Sequence, residues 1–194
     1  MKEALPVLIA VLGYGALHSL LASRTVKTAA RDRFGPAADR LYRLVFNGLA
    51  VISLMPVLAV LAAHLGPVAY VVPWPWAAVL LAAQIAAAGF LAVGFLHSDP
   101  GYFLGLRQLG NRDAGQRLVT RGAHRVVRHP LYSAALLALW CLPVQTAGTL
   151  GFAAGATLYI LIGSELEERK LIGIFGEDYV RYRAKVARLI PFIF

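Results

Sequence analysis

The sequence predicts an all-α, polytopic membrane protein, and three observations carry that fold class. Of its 194 residues, 59% are hydrophobic and 15% charged, with a mean hydropathy of +0.65; a soluble domain of this size could not bury so much apolar surface. The apolar residues gather in uncharged runs, and a hydrocarbon core of about 30 Å takes about 20 residues of helix to cross. Lysine and arginine, which give a net charge of +9, cluster between alternate runs, as expected of segments kept on one side of a bilayer.

Each element follows in order. Ala4 to Ser23 is uncharged and makes the first span; its positive charges follow the apolar run rather than precede it, which predicts a retained anchor and not a cleaved secretory signal. Arg24, Lys27, Arg31, Arg33, Arg40 and Arg43 form the first basic segment. Leu44 to Pro73 contains the second span, a helix ending near His64, where "HLGP" signals a turn. The third span starts at "PWPW" and ends at His97, with Trp74 and Trp76 marking an interface between lipid and water.

Leu131 to Ser164 would extend about 50 Å as one helix, well beyond a bilayer core. "LPVQTAG" divides it, so the run reads as a helical hairpin and the count of crossings becomes five. The second basic segment holds Arg107, Arg112, Arg117, Arg121, Arg125 and Arg128; the third holds Arg169, Lys170, Arg181, Arg183, Lys185 and Arg188. Five crossings put all three on one side, assigned to the cytoplasm, with the N-terminus outside.

The net positive charge invites a nucleic-acid reading, but no soluble basic domain separates from the apolar runs. Anionic lipid headgroups are the expected partner, and nucleic acid is not. A lone cysteine, Cys141, excludes an intramolecular disulfide framework and any multi-cysteine metal site, so no metal is expected. The chain reads as one domain, residues 1–194, with small-residue faces such as "AAQIAAAGF" suited to close helix packing.

Chemistry is expected where the polar segments meet the spans. In "RVVRHPLY", Pro130 sets the first turn of a helix, and Arg128 and His129 stand beside its N-terminus as a possible clamp for an anionic group. Glu165 and Arg169 have the spacing of a helical ion pair. Glu167 and Glu168 point about 100° apart, so that at least one can turn into the bundle. After Gly176, Tyr179, Tyr182, Val186 and Ile190 recur at helical spacing, predicting a C-terminal helix lying in the interface with its basic residues outward.

Taken in order, "LVTRGAHRVVRHPLY", a hydrophobic hairpin, "ELEERKL" and "FGEDYVRYRAKVARLIP" resemble the C-terminal half of the isoprenylcysteine carboxyl methyltransferase and phospholipid methyltransferase superfamily, over residues 118–191. "YFLGLRQ", "LWCLPVQTAG", "TLYILIGSELEERKL" and "LHSLLASRTVK" are nearest to the bacterial methanethiol S-methyltransferase branch. That resemblance implies an integral-membrane enzyme using S-adenosylmethionine. Carried over by motif position, Arg128, His129, Tyr132, Glu167, Glu168 and Tyr179 would bind the cofactor, and Arg107, Arg128 and Glu168 would serve catalysis. The acceptor, entering from the bilayer, is expected to be a thiol, whose ionisation a nearby cation such as Arg107 favours. A carboxylate or lipid amine stands as an alternative, as does a haem-binding protein in which His18 and His97 are axial ligands.

Overall fold

A computed structural model of the chain describes residues 2–110 and 117–191; Arg112 of the second basic segment lies outside the described residues. The chain is helical almost throughout: α1 (Ala4–Leu21), α2 (Arg24–Phe34), α3 (Pro36–Ala63), α4 (Trp76–His97), α5 (Pro100–Leu104), α6 (Leu106–Leu109), α7 (Pro130–Trp140), α8 (Ala147–Phe175) and α9 (Glu177–Arg183). α1, α3, α4 and α8 are long and apolar enough to cross a membrane, and α7 is a shorter apolar helix. The chain is an all-α polytopic integral membrane protein.

Boundaries follow local chemistry. Ser23 caps α2 by accepting from the Val26 amide at 3.3 Å. Gly35, at φ +60°, makes the corner into α3, and Pro36 begins that helix. α3 thus starts two turns ahead of its uncharged stretch, carrying Arg40 and Arg43 on helix rather than loop.

The predicted hairpin is present, with one difference. α7 and α8 run antiparallel: Tyr132 reaches Glu167 at one end, and the Trp140 indole donates to Thr157 at 3.0 Å nearer the other. α7 has 11 residues and so covers about 16 Å, half of a hydrocarbon core. Extended chain completes its path. Val144–Thr146 forms β2, which pairs antiparallel with β1 (Val68–Val71) in the register Val68↔Thr146, Tyr70↔Gln145 and Val71↔Val144. β-branched valine and threonine favour this extended pairing where the sequence alone suggested only a turn.

α8 is the central element. Glycines on one of its faces bring α1 against it: a Cβ on Gly151 would lie 2.4 Å from the Ala4 carbonyl oxygen, and one on Gly155 would lie 2.9 Å from Val11 Cβ. Val7, Val11, Val57 and Ala156 form the buried cluster of this contact with α3. Small residues permit such backbone approach, and packing holds helices together where lipid removes the hydrophobic difference. Gly151→Val is therefore expected to destabilise the protein by about 1–3 kcal/mol. Thermal unfolding in detergent measures this, with Gly13→Val, where a Cβ meets nothing within 4 Å, as the neutral control.

α4 joins α7 through Gly94, which faces Pro130, and through Gln84, whose amide donates to the Ala138 carbonyl at 3.0 Å. The three basic segments collect at one end of the bundle. Lys170 reaches the Ala22 carbonyl past the end of α1, Tyr42 donates to Leu21 O, and Asn47 of α3 holds the Phe103 carbonyl of α5. The β1–β2 ribbon closes the opposite end.

α9 is shorter than the periodicity predicts. The helix ends at Arg183, a turn follows through Val186, and Ala187 then forms an isolated parallel bridge with Val127 of "VRH". Tyr179 and Tyr182 are buried, so the aromatic face of α9 packs on the protein, and Val186 and Ile190 do not continue it.

Candidate active site

Arg128 and His129 lie at the foot of α7, and the backbone of the tail holds theirs. The Arg128 amide donates to Ala187 O at 2.8 Å and the His129 amide to Arg188 O at 3.2 Å. Ser133, one turn into α7, adds a hydroxyl bond to Leu189 O at 2.5 Å. Pro130, without an amide hydrogen, starts the helix immediately after.

These side chains converge on Glu168, which is fully buried. Arg128 Nε donates to Glu168 Oε1 at 2.6 Å, and His129 Nε2 lies 3.2 Å from the same oxygen. Nη1 of Arg128 also donates to the carbonyls of Arg183, at 3.1 Å, and Val186. One guanidinium thus joins α8, α9 and the tail. Burying three ionisable groups is costly unless they satisfy one another, and this geometry does so for all but one oxygen. Arg183 Nε is 3.3 Å from Glu168 Oε2 but off line, leaving that oxygen without a hydrogen bond.

A second unsatisfied atom lies nearby. Tyr179 is 1% exposed, and its hydroxyl has no hydrogen-bond partner. Burial, with the negative Glu168 next in importance, pushes its acidity well below that of an ordinary tyrosine, so it stays a neutral donor. Tyr182 is pushed up to about 12, chiefly by burial, and donates to His124 O at 2.6 Å. Burial, reinforced by the charges of His129 and His97, lowers the His124 pKa.

The two adjacent glutamates divide their roles. Glu167 keeps 44% of its side chain exposed and lies 3.7 Å from His129 Nδ1; it accepts from the Tyr132 hydroxyl at 3.0 Å. Tyr132 in turn stacks on the His129 ring, with centroids 5.5 Å apart and planes 19° from parallel. Glu165 behaves as its spacing predicts, binding Arg169 at 3.1 Å, and also takes Arg188 at 3.1 Å.

Five of the six residues expected to bind cofactor are thus linked by direct contacts, and Tyr179 presents a free hydroxyl from α9. Arg107 is not brought among them. It sits on α6 and pairs with Asp99 at 2.6 Å, because α5 and α6 turn back toward α3 instead of toward α7. The tail backbone and Ser133, which hold the "RHP" segment, were not singled out by the sequence; a serine one turn after a proline-started helix carries no distinctive signal.

His18 and His97 have separate surroundings. His97 Nδ1 binds its own helix at Val93 O, 2.9 Å, and its ring packs on Gly122. His18 Nδ1 meets the Tyr159 hydroxyl at 2.7 Å. Among the described residues, no group of three or more potential metal ligands forms.

Comparison with curated proteins places the chain beside methyltransferases. Methanethiol S-methyltransferase 1 of Bradyrhizobium diazoefficiens is 45% identical over 92 residues, 45% of this chain and 32% of that protein. Methanethiol S-methyltransferase of Pseudomonas deceptionensis is 48% identical over 68 residues, 35% of this chain and 26% of that protein. Protein-S-isoprenylcysteine O-methyltransferase B of Arabidopsis thaliana is 30% identical over 88 residues, 42% of this chain and 43% of that protein. The resemblance read from the motifs is borne out in both branches. The chain spans about a third of the length of the methanethiol enzymes it matches. No family model matches it, and no solved structure does.

Proposed function

We propose that this chain is a membrane-embedded methyltransferase that uses S-adenosylmethionine to methylate a small or lipophilic thiol. The observation that carries it is the buried Arg128–His129–Glu168 cluster with two polar atoms left over, Glu168 Oε2 and the Tyr179 hydroxyl. A carboxylate oxygen and a phenol, one accepting and one donating, fit the hydroxyl and amino groups of an adenosyl ligand. S-adenosylmethionine supplies a methyl group already activated on a sulfonium.

Arg128 fixes α8, α9 and the tail as one frame, Glu168 and Tyr179 offer the ligand its polar contacts, and the His129–Tyr132 stack with Glu167 faces the more open side. Alignment and exclusion of water are the main contributions an enzyme makes to such a transfer. Arg107, paired with Asp99, is assigned no step here. The relatives favour a thiol acceptor over the haem alternative; a carboxylate acceptor is the second reading, favoured by the isoprenylcysteine relative. The acceptor would enter from the lipid. The basic end would face the cytoplasm of a bacterial inner membrane, its arginines against anionic headgroups.

Calorimetric titration of S-adenosylhomocysteine into the purified protein tests the cofactor assignment. Binding is expected, weakened at least tenfold in His129→Ala and about three- to tenfold in Tyr179→Phe, as befits one hydrogen bond. A folded wild-type protein that does not bind it would end this reading.

A further inference from the structure

α8 presents a second polar surface, away from Glu168. Tyr159, Gly163 and Glu167 follow at intervals of four residues and so share one stripe of the helix, about 12 Å long. Each end of the stripe carries a polar pair bridging to a different neighbour. Glu167 takes the Tyr132 hydroxyl from α7. Tyr159 takes the His18 imidazole from α1.

Between them lies space. A Cβ on Gly163 would meet only the edge of the Tyr159 ring, at 4.0 Å. Gly15 of α1 lets the Tyr159 ring lie directly on that helix, since a Cβ there would come within 2.6 Å of Cδ2. Phe46 of α3 closes the far side of His18, with ring centroids 4.7 Å apart.

His18 is set apart from the other histidines of the long helices. His64 and His97 each spend Nδ1 on the carbonyl four residues back, the usual resting state of a helical histidine near an interface. His18, in the last turn of α1, instead spends Nδ1 on a side chain of another helix, and a polar pair between helices at the edge of a span is a candidate for function. With its proton on Nδ1 and donated to Tyr159 Oη, its Nε2 carries a free lone pair, and the tyrosine hydroxyl proton is available to a further acceptor.

Resting on the thiol methyltransferase reading above, we propose that the acceptor thiol sits over Gly163 and that His18 is the base that accepts its proton. The S–H bond breaks with its proton passing to His18 Nε2. The sulfur electron pair forms the new S–C bond while the methyl carbon's bond to the donor sulfonium breaks, its pair staying on the donor sulfur. The Tyr159 hydroxyl donates to the developing thiolate, and the imidazolium returns its proton to water when the thioether leaves. Besides Tyr159, the titratable group facing His18 is Tyr14, one turn earlier on α1, with centroids 5.8 Å apart. Its neutral phenol places no charge beside the imidazole.

The test compares wild type, His18→Gln and Gly163→Leu in detergent, using S-adenosylhomocysteine calorimetry together with methyl transfer to an alkanethiol and to an arylthiol already largely ionised at neutral pH. His18→Gln is expected to keep its affinity for S-adenosylhomocysteine, to lose at least tenfold in kcat with the alkanethiol, and to recover most of that loss with the arylthiol. Gly163→Leu is expected to raise KM for both thiols more than tenfold with unchanged S-adenosylhomocysteine affinity. An equal loss with both thiols in His18→Gln, or no loss, overturns the base; an unchanged KM in Gly163→Leu overturns the placement. If wild type binds no S-adenosylhomocysteine and methylates neither thiol, the enzyme reading itself has failed, a result separate from either of these.

Discussion

Glu168→Gln is expected to lower stability by about 3–5 kcal/mol, the cost of leaving a buried partner charge uncompensated. Arg128 is 8% exposed and its Nε has Glu168 Oε1 as acceptor; a glutamine keeps the shape and one acceptor but removes the charge that offsets the guanidinium. His129, sharing that oxygen, loses the nearer of its two carboxylate partners as well. The neighbouring Glu167→Gln is expected to cost less than about 1 kcal/mol, because its side chain is 44% exposed and water can replace the lost interaction. Thermal unfolding of both variants in one detergent, without ligand, measures the contrast. Two adjacent, chemically identical residues should differ several-fold in effect. Equal losses would mean that Glu168 is not the buried member of the pair.

That contrast marks a limit of what sequence conveys. A helix fixes the angle between Glu167 and Glu168 but not which one faces the interior; that was set by Arg128 and His129, about forty residues earlier in the chain. The spans were readable because hydropathy is local, and Pro130 announced the start of α7 because its own chemistry suffices. The β1–β2 ribbon was not readable, since it joins strands of four and three residues about 70 residues apart in the chain. The C-terminal helix was overextended for a similar reason. Tyr179, Tyr182, Val186 and Ile190 keep helical spacing, but Arg128 takes the carbonyls of Arg183 and Val186, the acceptors a continuing helix would need for its own amides. A distant guanidinium ends α9.

The second large effect follows from that arrangement. Arg128→Lys retains the charge and can still reach Glu168, so a view based on charge alone expects little change. The guanidinium, however, meets a carboxylate in one direction and two backbone carbonyls in another, with a planar fork that a single ammonium cannot reproduce. Lysine would leave the Arg183 and Val186 carbonyls without this donor; the Arg183 carbonyl is open to water, so the cost, up to about 1–3 kcal/mol, falls on the partly buried Val186 carbonyl. The tail should detach from α7 before the bundle melts, because its remaining ties are the backbone bonds at Arg128 and His129, the Ser133 hydroxyl and the partly exposed Arg188–Glu165 pair. Limited trypsin digestion should then cut after Arg183, Lys185 or Arg188 at least tenfold faster than in wild type, while the helices stay intact by circular dichroism. His129→Ala keeps the Arg188 backbone bond and should leave the digestion rate near that of wild type, though it weakens the ligand site. If the cluster only balances charge, lysine should digest like wild type. If the guanidinium fastens the tail, tail cleavage accelerates, and affinity for S-adenosylhomocysteine falls with it because Tyr179 rides on the helix that has come loose.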